Sequence, residues 1–81
     1  MKIKVTAISK FQKYFPARTS EVDFAGETLS EFLDLVKENH GMDVNDHKNI
    51  KITRNHKLVR DFDVRLEEGD RISFIPIVAG G

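Results

Sequence analysis

The sequence predicts an α+β domain in which one main helix packs across one face of a mixed sheet of four to five strands. Three observations carry that expectation. Near the start, Ile3, Val5 and Ala7 alternate with Lys2, Lys4 and Thr6, the period of two of a half-buried strand. Near the end, Ile72 and Phe74 alternate with Ser73 and Ile75 in the same way. Between them, Leu29, Phe32, Leu33 and Val36 recur at i, i+3, i+4 and i+7, the apolar stripe of an amphipathic helix.

The first strand is expected over Lys2 to Ser9. Phe11 to Ser20 contains Pro16 and mixed polar residues and reads as a connecting loop. Alternation resumes at Glu21 to Phe24, with Val22 and Phe24 inward, as a short second strand. The helix is expected from Thr28 to about Asn39. Thr28-Leu29-Ser30-Glu31 matches a capping box, and Gly41 is placed for a left-handed C-terminal turn. Met42 to Asn49 shows no regular period. Ile50 to Arg54 reads as a third strand that turns through Asn55-His56 into Lys57 to Val59, with asparagine better suited than histidine to the left-handed turn conformation. Asp61 to Arg65 is irregular, Leu66 to Asp70 is a turn with one apolar anchor, and Arg71 to Pro76 is the last strand.

Composition narrows the function classes. The chain has 81 residues, room for one domain, and its 13 basic and 13 acidic side chains give a formal net charge of zero. That argues against a nucleic-acid binder, which needs a basic surplus to neutralise phosphates. There is no cysteine, which removes disulfides, thiolate zinc sites and thiol nucleophiles. The N-terminus lacks a long apolar run with a small-residue cleavage site, and Ile72 to Ala79 is far too short to span a bilayer. A cytoplasmic protein without membrane partners is expected. His40, His47 and His56 fall on a helix end, a loop and a hairpin tip without metal-ligand spacing. They are expected to be exposed, with no metal bound. No phosphate loop or nucleophile elbow is present.

The C-terminus is the exception to this bland picture. Residues 1–76 are expected to form the domain and 77–81 an extended tail ending in Gly-Gly. Ile77-Val78-Ala79-Gly80-Gly81 narrows from branched apolar residues to bare backbone. Pro76 lacks an amide hydrogen, which favours the strand leaving the sheet near that point. Two terminal glycines arise by chance in roughly 0.5% of chains when glycine is about 7% of residues. A side-chain-free end can enter a narrow channel in a partner enzyme, and its unbranched carboxylate is open to attack.

These segments together resemble the sulfur carriers of the molybdopterin-synthase small subunit (MoaD) and ThiS type, β-grasp proteins related to ubiquitin. The resemblance covers nearly the whole chain. It is strongest at Leu66-Glu67-Glu68-Gly69-Asp70-Arg71-Ile72 and at Pro76-Ile77-Val78-Ala79-Gly80-Gly81. Lys13-Tyr14-Phe15-Pro16 is similar to the aromatic-proline loop of molybdopterin-type members, and Thr28-Leu29 to the usual helix start. Ile77 stands where the molybdopterin type often has a second proline, Ala79-Gly80-Gly81 is also common in the thiamine type, and Asn55-His56 replaces a frequent Asn-Gly.

The resemblance implies a carrier rather than an enzyme. An E1-like enzyme would use ATP to adenylate the Gly81 carboxylate, and a desulfurase or rhodanese-type donor would supply sulfur to give a thiocarboxylate. A synthase large subunit or thiazole synthase would then take the sulfur for molybdopterin or thiamine thiazole, with the molybdopterin type favoured. No cofactor is expected on the carrier itself. Gly80, Ala79 and Val78 would form the delivery arm. In this fold class the first and last strands lie side by side, so Ile8 and Ile75, out of phase with the core, would join Pro76 and Ile77 as the partner-binding surface. A ubiquitin-like protein modifier and an inert interaction module share the same fold and stay open.

Overall fold

The N-terminal alternation becomes β1 (Lys2–Ala7), whose Ile3, Val5 and Ala7 are fully buried. The computed structural model describes residues 1–77. β1 stops before the predicted Ser9 because Ser9 takes a φ of +56° and opens a 3-10 helix, Ser9–Tyr14. That helix drives Phe11 into the core, so the segment read as a plain loop is a structural plug. β2 (Thr19–Asp23) runs antiparallel to β1 with Ile3 opposite Val22. It begins earlier than predicted because Thr19 and Ser20 pair with Thr6 and Val5. Phe24 lies beyond the strand but is buried, and its N–H donates to Met1 O at 2.8 Å.

α1 (Leu29–His40) follows the sequence reading closely. Glu31 N–H donates to Thr28 Oγ1 and Thr28 N–H donates to Glu31 Oε1, each at 3.2 Å, completing the capping box. Gly41 ends the helix at φ +73°, its N–H donating to Lys37 O. Leu29, Phe32, Leu33 and Val36 are all buried against the sheet layer, each worth about 1.5–3 kcal/mol of burial. The irregular 61–65 segment has a definite task. Val64 O and Phe62 O accept from Leu29 and Ser30 N–H, two of the helix donors that have no partner inside the helix.

Past the helix, Met42 is fully buried and a short 3-10 turn, Val44–Asp46, leads to β3 (Ile50–Arg54). Asn55 and His56 make the hairpin turn with φ of +51° and +72°, and β4 (Lys57–Leu58) returns for two residues. β5 (Arg71–Pro76) closes the sheet in the order β2-β1-β5-β3-β4, parallel to β1 and antiparallel to β3. Ile72 and Phe74 sit at the core centre. This is the expected mixed sheet with one main helix, the β-grasp arrangement.

Candidate functional site

The place to look is the outgoing end of β5, and the turn before it sets the geometry. Gly69 takes φ +83°, and its N–H donates to Lys2 O at 2.8 Å. The next residue, Asp70, is 6% exposed and accepts from Arg54 Nε, Asn55 Nδ2 and Glu67 N–H at 2.8–2.9 Å. Arg54 also places a second guanidinium nitrogen 2.9 Å from the same carboxylate. Burial pushes the Asp70 carboxyl up, but the Asn55 amide, the Glu67 N–H and the Arg54 guanidinium outweigh it. The net effect holds the group below the ordinary carboxylate range. Asn55 completes the clamp: its Oδ1 accepts from Arg71 N–H and its own N–H donates to Arg71 O, both at 2.8 Å. The glycine-acid turn therefore locks the β3–β4 hairpin to the first residue of β5 and fixes the line along which β5 leaves.

At the other end, Pro76 lies opposite Ile50 and is half-buried. It shares the pleat phase of Phe74, so its ring turns to the helix side of the sheet rather than to the face of Ile8 and Ile75. The ladder reaches one residue further, with Ile77 N–H donating to Asn49 O at 2.9 Å. Ile77 is 49% exposed and stands beside Leu58 and Phe62 at a surface groove. Val78, Ala79, Gly80 and Gly81, the residues expected to form the delivery arm, lie outside the described residues.

The sheet face away from the helix is organised in rows. Ile8 N–H donates to Phe74 O at 3.1 Å, which sets Ile8 beside Ile75, and both are half-buried. The adjacent row is made of hydroxyls: Thr6 and Thr53 both lie in register with Ser73. Ser73 and Thr53 are buried, and Thr6 Oγ1 has no hydrogen-bond partner among the described residues. Beyond them Lys4 pairs with Arg71 across β1 and β5. The sequence reading found Ile8 and Ile75 but not the hydroxyl row. Its only signal was a Thr or Ser at the outward position of three strands, which becomes a row only once the register is known. A flat centre of small residues, cations on one side and branched apolar residues on the other make a surface suited to docking a protein.

Two of the three histidines are not exposed as predicted. His40 and His47 are half-buried in an aromatic cluster under the 3-10 helix. His40 packs on Phe15 with ring centroids 4.6 Å apart, and its Nδ1 lies 3.2 Å from Tyr14 O. His47 stands edge-on to Phe11 at 5.1 Å. Aromatic packing accounts for their burial. Among the described residues no group of three histidine, cysteine or acidic side chains could hold a metal ion. Among the same residues no helix is long and apolar enough to cross a membrane.

Comparison with known proteins bears on the whole chain. A family model described as the ThiS family matches residues 10–81. The fold is similar to a putative molybdopterin converting factor subunit 1 from Pyrococcus furiosus, 20% identical with a TM-score of 0.79, covering 95% of this chain and 98% of that one. It is similar to SAMP1, a small archaeal modifier protein from Haloferax volcanii, 21% identical with a TM-score of 0.77 over 100% of both chains. It is also similar to a chain in the complex of subunits 1 and 2 of the molybdopterin-converting factor from Helicobacter pylori, 22% identical with a TM-score of 0.71 over 100% of both. At these identities the structural likeness shows the fold. No curated protein matches the sequence.

Proposed function

Because the chain belongs to the ThiS family, we propose that it carries sulfur as a thiocarboxylate on Gly81 and donates it in the synthesis of molybdopterin. The observation that carries this reading is the extent of the family match, which runs through the Gly80-Gly81 end instead of stopping at the folded sheet. The similarity to molybdopterin-converting subunits supports the choice of pathway.

The chemistry follows from what a carboxylate lacks. As an anion with oxide as its potential leaving group, the Gly81 carboxylate does not accept a nucleophile. An E1-like enzyme transfers AMP from ATP to it and releases pyrophosphate, giving an acyl adenylate. The terminal sulfur of a donor's persulfide attacks the carbonyl carbon and expels AMP. Thiol reduction of the resulting acyl disulfide leaves the thiocarboxylate and the donor's disulfide. The thiol must come from a partner, since this chain has no cysteine. The synthase large subunit then takes the sulfur, and hydrolysis of the spent acyl group returns the carboxylate. The carrier contributes a rigid base for the arm, through the Asp70 clamp, and a docking face around Ile8 and Ile75.

The test is intact-mass spectrometry after incubation with the cognate activating enzyme, ATP and a sulfur donor. A mass gain equal to replacing one oxygen by one sulfur supports the carrier. Deleting Gly81 should abolish the gain while leaving the unfolding curve unchanged. Conjugates joined through Gly81 to lysines of other proteins would instead favour a protein modifier, the reading suggested by the likeness to the small archaeal modifier protein. A ThiS-type carrier for thiamine thiazole would show the same mass gain but serve a thiazole synthase.

A further inference from the structure

Among the described residues, three of the four exposed large apolar side chains, Leu58, Phe62 and Ile77, converge on one groove of about 420 Å³. Ile50 and Val44 form more of its wall. Scattered surface leucines need no explanation, but exposed apolar residues gathered in one concavity mark a contact site. The walls are well supported. Ser30 N–H holds the Phe62 carbonyl from the helix, Asn49 O holds the Ile77 amide, and Ile52 O holds the amide of Val59.

The rim is strongly one-sided in charge. Lys51 and Arg60 line the groove, and Arg54, Lys57 and Arg60 border the adjoining hollow, where Asp61 is the one acid. Asp61 caps its own turn by accepting from Asp63 N–H. Arg54 is committed to Asp70. Lys51, Lys57 and Arg60 make no ion pair among the described residues. In a chain whose 13 basic and 13 acidic residues balance, three uncommitted cations around an apolar groove are a local electropositive field.

The backbone adds a third component. β4 is one of the two edge strands among the described residues, β2 being the other. Val59 N–H donates to Ile52 O, so by alternation Leu58 turns its own N–H and C=O away from β3, toward the open edge. An edge with one free donor and one free acceptor receives an extended segment.

We infer that this groove docks an extended segment of a partner protein bearing one or two large apolar residues flanked by carboxylates. The apolar residues fill the space between Leu58, Phe62 and Ile77, the carboxylates meet Lys51, Lys57 and Arg60, and the segment's backbone pairs with Leu58. This contact is centred on the β4 edge of the sheet and meets the Ile8–Ile75 face only at Lys51, the cross-strand neighbour of Ile75.

The full-length, isotopically labelled chain is titrated with two short synthetic peptides that share a Val-Leu-Ile centre, one flanked by Asp and Glu, the other by Lys. The acidic peptide should shift the amide signals of Leu58, Phe62 and Ile77 and bind at least about tenfold tighter than the basic one. Its affinity should fall as salt rises. Leu58→Ser, at an exposed edge position, should weaken binding while keeping a dispersed amide spectrum. The double variant Lys51→Glu with Arg60→Glu should invert the preference between peptides. Equal affinity for both peptides, shifts centred on Ile8 and Ile75, or no shifts with either peptide would overturn the inference. None of these readouts uses an activating enzyme, so such a failure leaves the carrier reading standing.

Discussion

Asp70 shows how one residue can hold a turn and set the start of the strand that follows it. Its carboxylate accepts three hydrogen bonds and faces a guanidinium while nearly removed from water. Asp70→Asn should cost about 2–3 kcal/mol in urea unfolding at neutral pH, since hydrogen bonds to a charged acceptor are the stronger kind. The folded-state pKa is depressed, so the stabilisation is fully present above the ordinary carboxylate value of about 3.9 and is lost as pH falls through the folded value. Comparing wild type with Asp70→Asn from pH 7 down to about 2 should therefore show the gap between them closing only in acid. A gap that stays constant would remove Asp70 from the acid response. At the hairpin tip, His56 holds φ +72° without glycine's freedom. His56→Gly should raise stability by about 0.5–1 kcal/mol, read as a higher urea midpoint.

At the scale of elements, legibility in the sequence tracked how local the determining forces are. α1 was readable because its start, stripe and stop are all encoded within a few residues: Thr28 and Glu31, then Leu29 through Val36, then Gly41. Thr28→Ala should cost about 1 kcal/mol, lowering the thermal midpoint by about 4–8 °C. The 3-10 helix at Ser9–Tyr14 and the strap at 61–65 were opaque for the opposite reason. Phe11 belongs in the core because β1 and β5 leave space there, and Phe62 and Val64 offer carbonyls to a helix end more than thirty positions earlier. No local pattern announces a long-range hydrogen bond. The histidines failed likewise: their surroundings are aromatic rings brought in by tertiary packing.

For the molecule as a whole, the layout of the sheet face proposed for docking was half legible. Pleat phase alone exposed Ile8 and Ile75, but the hydroxyl row of Thr6, Ser73 and Thr53 needed the register of three strands. Ile75→Glu tests the face without touching the core. It should raise the KM for the carrier by about tenfold in an ATP–pyrophosphate exchange assay with the activating enzyme, while the unfolding midpoint changes little. A normal KM would move the docking surface elsewhere.

The strand order has a consequence for synthesis. β5 is the last of the described strands in sequence order, yet it sits between β1 and β3 and runs parallel to β1. Until Arg71–Pro76 has left the ribosome, β1 and β3 have no neighbour in common and Ile72 and Phe74 are missing from the core. A chain cut short before β5 lacks the strand that joins β1 to β3, so no such product can build this sheet.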